Sequence, residues 1–254
     1  MALAPAGATG ASGSRPRVVR RRTWESGHVS VQEVDEGEIE LLRARVDPDL
    51  RGALSRSFEL GFLGSMPIGD QIDHALGFVA VLESCLGGAP GSVIDLGTGG
   101  GVPGLVLLSC WPDARVVLMD ASERRTEFLS ETLQARAATG AGEVIRGRAE
   151  ELGRQGGFRE QFDAVTSRSF GIPALTAECG ASFLRPGGWM VVSEPPDVAP
   201  EERWPRNGLT VVGLERREIV RVSGRFGYQL LHKTTGIGDR FPRRVGIPAK
   251  RPLF

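Results

Sequence analysis

Val93-Ile94-Asp95-Leu96-Gly97-Thr98-Gly99-Gly100-Gly101-Val102-Pro103-Gly104 joins a short apolar run to an acid, a glycine-dense loop and a proline. The apolar run reads as a buried strand. Gly97, Gly99 and Gly101 allow backbone conformations closed to other residues and let a ligand touch bare main chain. Pro103 stands where a helix opens, a position that tolerates its missing N–H. That helix turns its free N–H groups toward whatever the loop holds.

Outward from this loop the chain alternates strand and helix. Short β runs are expected at 92–96, 115–119, 143–145, 162–166, 188–192, 209–214 and 227–232, with helices at 104–110, 123–136, 149–154 and 172–183. Such alternation builds a parallel sheet flanked by helices. The last two runs leave no room for a helix between them, so they should pair antiparallel. The expectation is an α/β class I methyltransferase Rossmann-like fold: a mostly parallel seven-stranded sheet with an antiparallel C-terminal hairpin, preceded by a small helical region.

Upstream, Ile39, Leu42 and Val46 recur on one helical face, as do Leu50, Leu54 and Phe58, and then Ile72, Leu76, Val79 and Leu82. Gly87-Gly88-Ala89-Pro90-Gly91 breaks that pattern. Residues 1–29 are rich in Ala, Gly, Ser and Arg, without apolar period, and are expected to be a disordered basic head. The expected organisation is that head, a helical region at 30–90, a cofactor-binding domain at 91–240 and a basic tail at 241–254.

Bulk composition excludes more than it proposes. Hydrophobic content of 41% and charged content of 24% are those of an ordinary globular protein. No apolar run approaches the roughly 20 residues that span a bilayer. The N-terminal arginines do not precede an apolar core, which argues against a secretory signal and for a cytoplasmic protein. Cys85, Cys110 and Cys179 are far apart, as are His28, His74 and His232, so neither a metal site nor a Ser-His-Asp triad is expected. Net charge is zero, but the last forty residues hold Arg216, Arg217, Arg221, Arg225, Lys233, Arg240, Arg243, Arg244, Lys250 and Arg251. A basic end of this kind suits an RNA or phosphate surface, and equally a solvated tail.

The glycine loop admits two cofactors. Gly99-x-Gly101-x-x-Gly104 satisfies the dinucleotide fingerprint, a weak signal alone. Asp95 argues for S-adenosylmethionine over NAD: two residues before Gly97 it is placed to hold the loop and the amino end of a methionine moiety, whereas a carboxylate there would repel a pyrophosphate. A second strand ends in Asp120, about 20 residues on, where a carboxylate accepts hydrogen bonds from ribose hydroxyls. It is equally placed to cap the helix after Ser122. Gly147-Arg148-Ala149-Glu150-Glu151 falls where a loop covers the adenine. After the fourth strand of this series, Ser167-Arg168-Ser169-Phe170 offers Arg168 to a methionine carboxylate or a phosphate, with a surface ion pair as the plain alternative; Phe170 is read as a core aromatic, with base stacking as its alternative.

Taken in order, Asp95-x-Gly97-Thr98-Gly99-x-Gly101-x-Pro103-Gly104, Asp120-Ala121-Ser122, Arg148-Ala149-Glu150-Glu151, Ser167-Arg168-Ser169, Leu184-Arg185-Pro186-Gly187-Gly188 and the tail from Phe241-Pro242-Arg243-Arg244 to Lys250-Arg251-Pro252-Leu253 resemble the glucose-inhibited division protein B family. Members of that family methylate guanine N7 in small-subunit ribosomal RNA. The resemblance runs from about Ser92 to the C-terminus. It implies cofactor contacts at Gly97, Val102, Asp120, Ala121, Ser122, Ala149, Glu150 and Arg168, beside Asp95, Gly99 and Gly101 of the loop. Arg168 is the candidate catalytic residue. Arg243, Arg244, Lys250 and Arg251 would face RNA.

The chain also departs from the family. Where members carry Asn-Leu-Thr and then Arg-His-x-x-Asp-Ser, it reads Gly61-Phe62-Leu63-Gly64-Ser65 and then Asp73-His74-Ala75-Leu76-Gly77-Phe78, keeping only His74. Where members often have Lys-Gly, it reads Ser193-Glu194-Pro195-Pro196, an acid in place of a base. A divergent paralogue acting on another RNA or a small molecule, and a cofactor-binding RNA protein without turnover, therefore stay open. Guanine N7 carries a free lone pair and loses no proton on methylation, so no general base is expected.

Overall fold

The computed structural model describes residues 31–136, 142–195 and 200–254. The expected N-terminal head therefore lies outside the described residues. Eight strands form one sheet in the order β1-β7-β8-β6-β5-β2-β3-β4. They are β1 (Val31–Val34), β2 (Ser92–Leu96), β3 (Arg115–Asp120), β4 (Gly142–Arg146), β5 (Phe162–Ser167), β6 (Leu184–Glu194), β7 (Leu214–Val222) and β8 (Phe226–Lys233). Only the pairings of β8 with β6 and β7 are antiparallel. The plan is the one expected, with an eighth strand added at the β7 edge.

Helices cover both faces, which is why the central strands are apolar on both sides. Along β2, Val93 faces one core while Ile94 and Leu96 face the other; along β3, Val116 and Leu118 alternate with Val117 and Met119. The first core takes α1 (Glu36–Arg43), α2 (Leu50–Glu59), α3 (Ile68–Leu86), α4 (Gly104–Cys110) and α5 (Glu123–Ala135). The second takes α6 (Ala149–Leu152), α7 (Pro173–Ala181), α9 (Arg206–Thr210) and the C-terminal segment. Two further short helices are α8 (Pro200–Arg203) and α10 (Ile247–Lys250). Of the crossover helices, α5 buries one face, whereas α4 and α7 are buried almost all round. α1 and α2 each bury one stripe in the same core as β2 and β3, and α3 is buried on all sides from His74 to Leu82.

Three local expectations are corrected. The strand expected at 209–214 is α9 followed by a turn at Gly213 (φ 73°), and the strand starts only at Leu214. Leu209 and Val212 are buried while Val211 is exposed, the i, i+3 spacing of a helical turn. The true strand carries Glu215-Arg216-Arg217-Glu218, a polar stretch that becomes β by pairing with β8 and by ion pairs such as Arg216 with Glu201 (3.0 Å). The expected helical region at 30–90 opens instead with β1: four residues are too few to carry a period, and their parallel pairing with Ile219–Val222 of β7 is wholly non-local. Last, Phe58 is exposed, and Ser57 takes the buried place on α2.

Candidate cofactor site at the C-terminal ends of the strands

Strand order reverses between β2 and β5, which pair in the middle of the sheet with Asp95 opposite Thr166. In open α/β sheets ligands bind outside the carboxyl ends of strands at such a switch point. Asp95 is almost wholly buried there. Its Oδ2 accepts from the Gly104 N–H and its Oδ1 from the Thr166 hydroxyl, both at 2.9 Å. The carboxylate thus fastens the glycine loop to α4 and to β5. Burial raises its pKa to about 6, against the opposing effect of those hydrogen bonds.

The loop glycines divide by duty. Gly97, Gly99 and Gly101 all have positive φ (68°, 58° and 98°). A Cβ on Gly101 would press on Leu105 and Leu129, so this glycine serves close packing of loop on helix. A Cβ on Gly99 would meet nothing nearer than the Gly97 carbonyl at 3.8 Å. The backbone at Gly99 thus fits a ligand lying against it. The Phe170 ring lies over Gly97, which gives that aromatic a place beside the loop. The Val102 side chain is buried in the first core, leaving its backbone to the loop.

Asp120 closes the loop from the neighbouring strand. Its Oδ2 accepts from the Gly99 N–H (2.9 Å) and its Oδ1 from the Ser122 N–H (2.8 Å), with Arg125 at 3.6 Å. Gly147 N–H in turn donates to the Asp120 carbonyl (3.1 Å), tying the loop after β4 to the end of β3. Ala121 and Ser122 follow directly. Ala149 is buried against the second core. Glu150 is nearly buried, with Oε1 accepting from the Gly246 N–H (3.0 Å), so the loop after β4 touches the C-terminal segment.

Arg168, at the end of β5, is half-buried and donates from Nη1 to Gln71 Oε1 (3.1 Å). Burial lowers its pKa, and the charge of Asp95 raises it. Beside it, His74 is buried among Phe78, Phe226 and Tyr228. Its Nε2 lies 3.0 Å from the Ser193 hydroxyl, and burial pushes its pKa down to about 3. A neutral imidazole of that kind is a poor proton acceptor at neutral pH.

The basic tail divides. Arg244, Lys250 and Arg251 are exposed. Arg243 instead reaches Glu178, fully buried on α7, through its backbone N–H (2.7 Å), Nε (3.0 Å) and Nη2 (2.6 Å). Its guanidinium anchors the tail. Arg159 adds to the anchoring by donating to the carbonyls of Phe241 (2.7 Å) and Ile237 (2.8 Å). Glu194 is held in a similar way by Arg203 (2.6 Å) and by the Trp204 indole N–H (3.1 Å), so its charge is spent inside the protein. Pro196 lies outside the described residues.

Sequence reasoning missed the N-terminal wall of this site. Ser57 donates to the Gly100 carbonyl (2.8 Å), Leu63 packs on Gly100, and Gln71 holds Arg168. The signal for it was polar residues inside apolar helical stripes: Ser57 and Gln71 both stand on buried faces. Among the described residues no group of three His, Cys, Asp or Glu side chains is arranged to hold a metal ion, and no helix is long and apolar enough to cross a membrane.

Residues 71–207 match the model of a family described as rRNA small subunit methyltransferase G. Over 168 residues the chain is 34% identical to a ribosomal RNA small subunit methyltransferase G of Thermotoga neapolitana, covering 65% of this chain and 72% of that protein. Over 167 residues it is 35% identical to a protein of the same name from Carboxydothermus hydrogenoformans, covering 64% and 71%. In structure it is similar to a putative O-methyltransferase from Klebsiella pneumoniae, with a TM-score of 0.54 and 15% identity over 79% of this chain and 97% of that one. That likeness speaks for the fold.

Proposed function

The chain belongs to the rRNA small subunit methyltransferase G family, and on that premise we propose that it methylates guanine N7 in small-subunit ribosomal RNA, with S-adenosylmethionine as donor. The observation that carries the reading is the glycine loop at the switch point, with the carboxylate of Asp120 bonded to Gly99 on one side and the guanidinium of Arg168 on the other. S-adenosylmethionine supplies a methyl group activated on a sulfonium. The backbone of Gly97, Gly99 and Val102 would receive its methionine part and Asp120 its ribose hydroxyls. Ala121, Ser122, Ala149 and Glu150 would border the adenine, and Arg168 would hold the methionine carboxylate. Asp95 and Gly101 keep the loop in shape for this.

Transfer of this kind is an in-line displacement, to which positioning contributes much of the rate. An N7 acceptor needs no base, which agrees with a His74 held neutral and buried and with an Asp95 whose two oxygens are already engaged. In this reading residues 30–90 cover a cofactor domain of residues 91–240, and residues 241–254 carry Arg244, Lys250 and Arg251 toward RNA while Arg243 anchors them. A ribosomal substrate implies a cytoplasmic location. A different acceptor is the second reading, and one observation favours it. The stretch around His74, where the sequence departs from the family motif, packs on this chain's own groups: Asp73 is bound by Arg43 (2.8 and 2.9 Å), and the Tyr228 hydroxyl lies against Gly77.

The test is chemical cleavage at 7-methylguanosine in ribosomal RNA from cells with and without the gene, alongside transfer of tritiated methyl groups to RNA and subunits from the deletion strain. Loss of one cleavage site on deletion, restored by the purified protein, is expected. Identical cleavage in both strains would leave the cofactor site intact and move the assignment to another acceptor.

A further inference from the structure

Gln71 sits in the first turn of α3 and is wholly buried, yet each of its side-chain polar atoms is used. Nε2 donates to the carbonyls of Gly64 (3.2 Å) and Met66 (3.0 Å), and Oε1 accepts from Arg168 Nη1 (3.1 Å). The segment it grips is the wall of the glycine loop. Leu63 packs on Gly100, and Phe62 stacks edge-on against Phe128 (5.7 Å) with Arg124 over its ring (5.6 Å). Just before it, Ser57 holds the Gly100 carbonyl. One amide therefore joins this wall to the guanidinium at the end of β5.

The chemistry of that junction asks for an amide. Two carbonyls on one side call for two donors and a guanidinium on the other for an acceptor, and only Asn or Gln presents two donors and an acceptor from one planar group. A carboxylate would satisfy Arg168 but face two carbonyl oxygens without a proton to offer. An apolar side chain would strand all three partners in a buried setting. A guanidinium has five N–H donors, and the hydrogen bond to Gln71 occupies one of them, leaving the others for a ligand.

We propose that Gln71 is a positioning residue: it aims Arg168 at the cofactor and couples that aim to the seating of residues 60–67 against the glycine loop. The proposal rests on the reading of Arg168 as a cofactor contact and assigns the residue that makes the contact effective.

The experiment is a double-mutant cycle on the full chain with Gln71→Leu, Arg168→Ala and the pair, reading S-adenosylmethionine affinity by calorimetry, with KM for cofactor and for RNA read separately. Gln71→Leu should weaken cofactor binding by roughly 10-fold, the range of one hydrogen bond to a charged group, and should cost clearly less once Arg168 is Ala, because only the seating of residues 60–67 is then left to lose. Cofactor KM should rise while RNA KM stays. Gln71→Glu, which keeps the length and the acceptor, covers the case in which Gln71→Leu does not fold. It should also weaken cofactor binding, because its carboxylate competes for the same guanidinium. Equal losses from Gln71→Leu with and without Arg168, or wild-type affinity in Gln71→Glu, would overturn the role of Gln71 while leaving Arg168 in place. Wild-type affinity and rate in Arg168→Ala would overturn both.

Discussion

Replacing Arg243 by Met tests whether the C-terminal segment is part of the folded body. Glu178 has no exposed side-chain surface, and Arg243 keeps a quarter of its own. The two meet through the Arg243 backbone N–H, Nε and Nη2, with both carboxylate oxygens engaged. Met fills much of the aliphatic volume but leaves a buried carboxylate with only the backbone N–H. Removing one partner of a buried pair costs about 3–5 kcal/mol, because the stranded charge keeps its desolvation penalty. For a chain of this size about 2–4 °C of Tm follows each kcal/mol, so the variant should melt roughly 10 °C lower. Arg56→Met is the control, since that arginine pairs with Glu131 while both side chains are 60% exposed. Its loss should stay below about 1 kcal/mol. Adding Glu178→Gln to Arg243→Met removes the stranded charge and should recover most of the Tm. Urea and thermal unfolding are read together with limited proteolysis of residues 241–254, so that a tail peeling away by itself is also seen. If Arg243→Met unfolds and is cleaved like Arg56→Met, the tail is not anchored as argued.

Three further outcomes are expected. Asp95, whose pKa burial raises from 3.8 to about 6, stabilises most when protonated, so its contribution is complete below about pH 4 and is lost as pH rises through 6. That loss is about 3 kcal/mol, and urea titrations from pH 4 to 7 should show Asp95→Asn without it; parallel profiles for the two proteins would refute the shift. Gly99→Ala puts a methyl group where a Cβ finds open space at φ 58°, so it should cost about 1 kcal/mol of stability yet abolish most of the thermal shift given by S-adenosylmethionine; an undiminished shift would remove Gly99 from the site. Lys250→Gln with Arg251→Gln should flatten the log–log salt dependence of RNA binding by roughly 0.7–0.9 for each phosphate no longer neutralised, with cofactor affinity unchanged, and an unaltered slope would make these two residues a solvated end.

The α/β plan and the glycine loop were legible in the residues because both are written locally. A strand run, glycines at positive φ and an acid at a strand end act over a dozen residues, and β2, β3, β5 and α4 stand close to where apolar period and punctuation put them. Tertiary structure decided what depends on partners far along the chain. β1 exists because β7 offers an edge, and the charged stretch 215–218 is a strand because β8 and α8 satisfy it. The same holds for charge. Arg243 reads as a basic RNA contact and Glu194 as an acid in place of a base, but Glu178 lies 65 residues from the first and Arg203 and Trp204 fold back on the second. Gln71 shows the principle most directly, since its partner Arg168 is 97 residues away. A side chain's type states which hydrogen bonds it can make. Only the packed fold, by excluding water, decides which partner must receive them.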